Sequence, residues 1–175
     1  MIAVLVALGC ATGPEGARPS DDAPLDEQDL VDMASWVEPR TDDPFDDAPI
    51  GPVCPPSALL LEGASIEVDT GQCTYLWQEQ PLLHEIRTGM SVEAVFWHGA
   101  LVAEGPAEAH LGFAVDGLVV YERTVSIPLD ATAYTEQSQV DFDAEAGAVV
   151  TFHLHNHGAN NWNVLRFTRL AQEER

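Results

Sequence analysis

The chain carries two alternating runs of apolar and polar residues near its carboxyl end, in the stretch from Val149 to Leu170. Side chains of a β-strand point alternately to opposite faces, so the pattern predicts two half-buried strands joined by a loop at Gly158–Asn161. Antiparallel pairing around that loop sets Phe152 opposite Phe167 and gives both strands an apolar face in one register. The opposite face of this predicted hairpin carries His153, His155, His157, Trp162 and Arg166, with His153 next to Arg166.

Candidate strands recur at short intervals in the rest of the chain from Cys54 onward, separated by Gly, Pro and Asp. They are Ser65–Asp69, Cys73–Gln78, Ser91–His98, Ala107–Val115, Leu118–Ile127 and Gln139–Phe142. These segments are rich in β-branched and aromatic residues, and no long helical period competes with them. Seven or eight short strands in about 120 residues predict an all-β fold, an antiparallel and jelly-roll-like β-sandwich.

Two turns in this region have specific predicted structures. The dipeptide Asp116-Gly117 lies between two apolar runs and predicts a tight β-hairpin. A second hairpin centred on Glu104 would set His98 opposite His110, whereas a shift of its centre by one residue would separate these two histidines.

The composition excludes some classes of partner. The chain has 29 acidic and 7 basic residues, with no lysine, and a net charge of −22. A surface this negative repels phosphate backbones, so we expect no nucleic-acid partner. It also repels anionic lipids, so attachment to a membrane has to come from something other than a basic patch.

The amino terminus begins with an apolar run, Met1–Leu8, which is too short to span a bilayer and leads into Gly9-Cys10. A small residue and a cysteine after an apolar run resemble the lipobox of bacterial lipoproteins. The resemblance implies that residues 1–9 are a signal peptide and that Cys10 carries a lipid anchor in the bacterial cell envelope. The alternative is an ordinary signal peptide and a periplasmic or secreted protein. A natural start upstream of Met1 would explain why no basic residue precedes the apolar run.

Residues 10–52 are dominated by Asp, Glu, Pro, Ala and Gly. Such a segment buries too little apolar surface to offset the entropy of ordering, so it predicts a disordered acidic tether. The piece from Pro24 to Val37 has the pattern of a transient helix within this tether. We expect the β-sandwich domain to occupy residues 53–175.

The cysteines support export. With Cys10 lipidated, Cys54 and Cys73 remain as an even pair in an oxidising compartment, which predicts a disulfide between them. A metal site using both thiolates is the alternative, and their spacing lacks the usual CxxC pattern of such sites.

The histidine strand is a candidate metal site. His153, His155 and His157 alternate on one face, where neighbouring imidazoles lie roughly 7 Å apart. Two of them can share a Zn²⁺ or Cu²⁺ ion if a third ligand comes from another strand. The His-x-His pattern is similar to that of cupins and carbonic anhydrases, which implies a metal-dependent protein. The alternative is a polar strand face without metal, favoured by the predicted neighbour Arg166, because a guanidinium repels a dication.

The loop of the predicted hairpin is a candidate ligand site made of His157, Asn160, Asn161, Trp162 and Asn163. Planar amides beside an aromatic ring suit the hydroxyls and the apolar face of a pyranose. Jelly-roll carbohydrate-binding modules use this chemistry, and the resemblance in architecture and residue type implies a site for a glycan or another polar ligand. The alternative is structural, with asparagines in left-handed turn conformations and Trp162 capping the sandwich end.

These patterns lead to one main hypothesis and one alternative. The main hypothesis is an exported, lipid-anchored, non-enzymatic binding module whose partner is an envelope protein or a polysaccharide. The alternative is a zinc- or copper-binding protein, or a metal-dependent enzyme, that uses the histidine strand. The sequence contains no nucleophile-elbow motif and no phosphate-binding glycine loop.

Overall fold

The computed structural model describes residues 26–45, 53–71 and 73–171. These residues form two antiparallel sheets and one turn of 3₁₀ helix, which confirms the predicted β-sandwich. The strands are β1 (Gln28–Asp29), β2 (Leu59–Glu62), β3 (Ser65–Asp69), β4 (Tyr75–Pro81), β5 (Ser91–His98), β6 (Ala107–Val115), β7 (Leu118–Ile127), β8 (Thr132–Gln139), β9 (Val149–Asn156) and β10 (Asn161–Arg169). No helix in the described residues is both long and apolar enough to cross a bilayer.

The two sheets share an aromatic core. The larger sheet has the order β2-β3-β10-β5-β8, with β1 beside β10, and the smaller sheet has the order β4-β9-β6-β7. Phe113 of β6 stacks on Phe167 of β10 across the sandwich, with ring centroids 4.5 Å apart, and Phe152 of β9 lies 5.3 Å from Phe113. All three rings are fully buried. Burial of each such side chain stabilises the fold by about 1.5–3 kcal/mol.

Most predicted strand positions agree with the structure. The bounds of β3, β5, β6 and β7 are those expected from the sequence, and β4 lies two to three residues later than expected. The Asp116-Gly117 hairpin is confirmed, since the two residues have φ values of 48° and 78°. The strand predicted at Gln139–Phe142 is wrong, because β8 ends at Gln139. As an edge strand that reads TAYTEQSQ, β8 has Tyr134 as its one large core-facing residue and lacks the repeated apolar positions that would reveal it.

The predicted hairpin at the carboxyl end is wrong, because β9 and β10 lie in different sheets. The neighbours of β9 are β4 and β6, so His153 lies opposite Trp77 and Gly112. Arg166 of β10 instead lies opposite Val95 of β5. Alternation defines the two faces of a strand but not its neighbours, and any antiparallel partner satisfies it equally well.

The second predicted hairpin fails for the same reason. β5 belongs to the larger sheet and β6 to the smaller one, so His98 does not pair with His110. His98 lies opposite Thr132 of β8 and Trp162 of β10. His110 lies opposite His155 of β9 and Thr124 of β7.

A bulge in β10 makes the predicted face wrong for Trp162, before the bulge, and right for Phe167, after it. The register with β5 shifts between Val164 and Arg166, which inserts Leu165 as an extra residue. An extra residue changes the parity of all that follow, so Trp162 and Val164 face the core before the bulge and Phe167 faces it afterwards. Leu165 is 40% exposed, and Trp162 is 1% exposed.

Residues 26–45 of the predicted tether pack on the sandwich, which corrects the prediction of a disordered segment for these residues. β1 pairs with the end of β10, Leu30 is fully buried, and Phe45 is 4% exposed. Residues 26–37 form a short strand and turns where the sequence predicts a helix. Burial of these apolar side chains acts together with the backbone pairing of β1 and the hydrogen bonds of Asp43 and Glu79 to hold this acidic segment on the sandwich. Cys10, together with the predicted signal peptide, lies outside the described residues.

The predicted disulfide is confirmed. Cys54 and Cys73 are joined with their Cα atoms 4.9 Å apart. The bond ties the segment before β2 in the larger sheet to the start of β4 in the smaller sheet, so it links both layers at one end.

Candidate functional site

The alternating histidines lie on and just beyond β9, at the outer face of the smaller sheet. His153 is fully buried, His155 is partly buried and His157 is exposed. The Nδ1 atom of His153 lies 2.7 Å from Oδ2 of Asp43, and the Tyr75 hydroxyl donates to the same carboxylate oxygen. His153 and His155 thus lie on the strand face opposite the core, as the sequence predicts. The segment that contains Asp43 covers this face at His153.

The cover is the segment 37–45, which we call the strap. Val37 exchanges two backbone hydrogen bonds with Glu79 of β4. The Glu79 carboxylate accepts hydrogen bonds from the backbone N–H groups of Arg40 and Thr41, each 2.9 Å long, and from the Thr41 hydroxyl. Burial alone raises the pKa of Glu79, but the hydrogen bonds from Thr41 and Arg40 together outweigh it and hold the pKa below its ordinary value. Glu79 is thus an ionised anchor for the strap.

Phe45 ends the described part of the strap and sits in a gap on the sheet surface. Its ring centroid lies 4.6 Å from that of His153 and 5.5 Å from that of His110. Position 112 of β6 has to be glycine, because a Cβ atom there would lie 2.5 Å from two ring carbons of Phe45. The missing side chain of Gly112 therefore provides the space in which the strap ends.

The structure does not bring the three histidines into a metal site. In residues 26–45, 53–71 and 73–171, no group of three or more His, Cys, Asp or Glu side chains is arranged to hold an ion. His153 faces Asp43 and the ring of Phe45, while the rings of His155 and His157 lie 4.4 Å apart at the edge of the cover. The predicted zinc or copper site is therefore unsupported.

The five residues predicted to form a ligand site do not share one surface. His157 and Asn161 are exposed, whereas Asn160, Trp162 and Asn163 are at most 5% exposed. The ring of Trp162 lies inside the sandwich, 4.7 Å from the ring of His98. An indole in that position cannot stack on a sugar, so the structure does not support a platform at Trp162.

A buried polar network that the sequence does not reveal holds this loop in place. Asn156 donates to the Thr70 hydroxyl at 2.9 Å and to the carbonyl of Gly158 at 2.8 Å. Its side-chain oxygen accepts hydrogen bonds from the Trp162 indole at 3.1 Å and from the Asn160 amide at 3.3 Å. The asparagines of this loop are therefore structural. Their side chains provide hydrogen-bond partners for buried polar groups where the chain passes from β9 in one sheet to β10 in the other.

The accessible indole is that of Trp97. All four tryptophans lie in the described residues, and Trp97 is 39% exposed, whereas Trp36 and Trp77 are partly buried and Trp162 is buried. Phe96 faces the core, so the next residue on β5 points to the outer face of the larger sheet. This alternation is the sequence signal that could have singled out Trp97.

The neighbours of Trp97 leave the indole open. The register of β5 sets it between Asn163 of β10 and Ala133 of β8. Neither side chain is large enough to cover an indole. Two of the asparagines predicted for the ligand site lie on this face of β10. Asn163 is the direct cross-strand neighbour of Trp97, and Asn161 lies two residues before it.

Ordered polar side chains occupy the same face at the other end of β5. Glu93 accepts hydrogen bonds from Gln137 of β8, at 3.0 Å, and from Arg166 of β10. Glu93 is four residues from Trp97, which corresponds to roughly 13 Å along an extended strand. The outer face of the larger sheet thus combines an open aromatic ring with a polar row that is already held in position.

Comparison with known proteins gives a likeness to solved structures only. No protein-family model matches this chain, and no curated protein matches it. A mutant of a family 29 carbohydrate-binding module is 14% identical, with a TM-score of 0.46 over 82% of this chain and 89% of that chain. The C-terminal CBM6 of LamC, a marine laminarinase from Zobellia galactanivorans, is 10% identical, with a TM-score of 0.44 over 85% of this chain and 100% of that chain. At TM-scores below 0.5 and identities of 10–14%, this likeness says nothing about the ligand of this chain.

Proposed function

We propose that this protein is a non-enzymatic binding module for a neutral polysaccharide, and that Trp97 is its stacking platform. The observation that carries the proposal is Trp97, 39% exposed near the end of β5 on the outer face of the larger sheet, where its direct neighbours, Asn163 and Ala133, have smaller side chains. A pyranose presents an apolar C–H face that packs on such a ring while its hydroxyls project toward the surroundings.

Polar groups on both sides of Trp97 suit those hydroxyls. Asn161 donates to Oε1 of Glu67 at 2.8 Å, which leaves its own amide oxygen and the second carboxylate oxygen outside that bond. At the other end of the face, the carboxylate of Glu93 is fixed by its two hydrogen bonds. Donors and acceptors held in advance lower the entropic cost of binding a flexible glycan chain.

The charge of the protein favours a neutral ligand. The net charge is −22, and Glu67 lies opposite Asn163 beside the proposed platform. Uronate or sulfated chains would be repelled from this surface, whereas uncharged hexose and pentose polymers would not.

Affinity electrophoresis in gels that contain a soluble β-glucan, xylan, mannan or alginate tests the proposal. We expect retardation in at least one neutral gel and none in alginate. Trp97→Ala should weaken that binding roughly 30-fold or more, because loss of a central aromatic contact costs about 2 kcal/mol or more. The affinity of Trp97→Phe should lie between those of the wild type and of Trp97→Ala.

Leu118→Ala is the matched control, since Leu118 is 51% exposed on the other sheet, and it should bind like the wild type. Undiminished binding by Trp97→Ala, or binding to alginate alone, would overturn the proposed site.

We also propose that the module is exported and lipid-anchored through Cys10, on the strength of the lipobox-like sequence that ends at this residue. The disulfide between Cys54 and Cys73 agrees with an oxidising compartment. Mass spectrometry of the amino-terminal peptide, after expression in a bacterial host, should find a diacylglyceryl group on Cys10 in the membrane fraction. The Cys10→Ser variant should leave that fraction, and an unmodified wild-type cysteine would contradict the proposal.

A further inference from the structure

The sandwich has an open side, where two adjoining clefts lie between β2 and the segment 29–38. The larger cleft has a volume of about 460 Å³ and the smaller about 240 Å³. Both are lined by Met33, Ala34 and Leu61, so they form one continuous groove. No residue that lines the groove is a direct cross-strand neighbour of Trp97, whose neighbours are Asn163 and Ala133.

Exposed apolar side chains concentrate at the groove. Eleven large hydrophobic side chains are exposed in the part of the chain that the structure describes. Five of them line the groove, namely Val37, Leu60, Leu61, Leu83 and Leu165. Single exposed leucines are common on protein surfaces, but a contiguous group with a polar rim marks an interaction site.

The strand that borders the groove has an open backbone edge. β2 is the outermost strand of the larger sheet, and β3 is its one strand partner within the described ranges. Natural proteins usually protect such an edge with lysine, proline or a bulge. β2 instead begins with three leucines, Leu59 to Leu61. β2 is short, with four residues, and ends in Glu62, but an outer edge lined by leucines is where an extended peptide adds as a further strand.

The rim of the groove is acidic. Asp29 and Asp32 line the larger cleft, and Glu38 lines the smaller one. A hydrogen bond from the Ser35 side chain, with a second from a backbone N–H, holds the pKa of Asp32 below its ordinary value, so this carboxylate is ionised at neutral pH. Arg166 also lines the groove, but its guanidinium already forms a salt bridge to a buried glutamate.

We propose that the groove binds an extended segment of another protein in which apolar residues alternate with lysine or arginine, and that this segment adds to β2 as a strand. Alternation directs the apolar side chains into the groove and the cations toward the acidic rim. A second copy of this chain is a poor occupant, because it would bring another net charge of −22 against the same carboxylates. The proposal does not depend on glycan binding.

A labelled synthetic peptide that alternates leucine and lysine is the probe, and its binding to the full chain is followed by fluorescence anisotropy. One matched peptide has glutamate at every lysine, and a second has the same composition in shuffled order. We expect the alternating lysine peptide to bind, the other two to bind at least tenfold more weakly, and the affinity to fall as salt rises. Hydrogen exchange should slow at the amides of Leu59–Glu62 when the peptide is bound.

Two variants locate the site. Leu61→Asn should weaken binding about tenfold, because one exposed leucine is buried by the peptide. Leu118 lies on the other sheet and is 51% exposed against 57% for Leu61, so Leu118→Asn should bind like the wild type. Trp97→Ala should do so as well, which keeps this test distinct from that of the glycan site. Absence of binding by the lysine peptide, equal binding of the shuffled peptide, or an unchanged affinity in Leu61→Asn would overturn the proposal. A dimer that Leu61→Asn dissociates would overturn it in favour of a second copy.

Discussion

Replacing Gly112 by alanine adds one methyl group where Phe45 sits. The new Cβ would lie 2.5 Å from two ring carbons of Phe45 and 2.9 Å from the backbone oxygen of Tyr121. Overpacking of this kind costs about 1–3 kcal/mol when the surroundings adjust. The clash is also relieved if Phe45 leaves its site, which loses the burial of its ring, worth about 1.5–3 kcal/mol. This loss is the upper limit of what Gly112→Ala can cost through the clash with that ring. We therefore expect Gly112→Ala to lower the free energy of unfolding by about 2–3 kcal/mol.

A double-mutant cycle measured by urea denaturation isolates this contact. In a Phe45→Ala background the clash with the ring is absent and only the contact with the Tyr121 oxygen remains, so Gly112→Ala should cost less than about 1 kcal/mol there. Gly99→Ala is the control, because a Cβ atom at Gly99 meets nothing within 4 Å, and its effect should stay within about 0.5 kcal/mol. An equal cost of Gly112→Ala with and without the Phe45 ring would refute the idea that the strap is seated on this glycine.

Three other predictions concern the disulfide, the strap anchor and the buried network. Substituting both Cys54 and Cys73 by serine should lower the free energy of unfolding by about 3 kcal/mol for their separation of 19 residues, and an unchanged urea midpoint would contradict this. Because the pKa of Glu79 is lowered in the folded state from 4.5, its contribution is complete above pH 4.5 and is lost as the pH falls through the folded value. The protection factors of the strap amides, which correct for the intrinsic pH dependence of exchange, should therefore fall in acid, and Glu79→Gln should remove that fall; a variant with the same acid response as the wild type would count against this role. Asn156→Ala leaves the Trp162 indole N–H without its acceptor and should cost about 1–3 kcal/mol in thermal or urea unfolding, so a loss below about 0.5 kcal/mol would show that the network is not needed.

Local patterns in the sequence account for much of the secondary structure. The alternation of β3, β5, β6 and β7 places their bounds correctly, because a half-buried strand needs a period of two residues wherever it lies in a sheet. Asp116-Gly117 determines the β6–β7 turn, since few other residue pairs accept positive φ at both positions. The cysteine pair is predicted from the even number of cysteines left after Cys10 and from the expectation of export, and the structure shows the disulfide itself.

The same patterns do not identify strand partners, and this is why the candidate site moves. Trp162 and Trp97 both lie in alternating strands, and only the assignment of each strand face to the core or to solvent separates the buried indole from the open one. The bulge at Leu165 adds to the difficulty, because a single inserted residue exchanges the two faces for the rest of β10.

The sequence by itself determined that this chain forms short antiparallel strands, one hairpin turn and one disulfide, and that its surface is acidic. Only the tertiary structure decided that β9 and β10 enter different sheets and that the strap covers the histidines. The physical reason is range: alternation and turn preference act between neighbours in the chain, whereas the contact between Asp43 and His153 joins residues 110 positions apart. Such a contact forms only when β9 has joined its neighbours in the smaller sheet and the strap lies across them, and no local pattern encodes it.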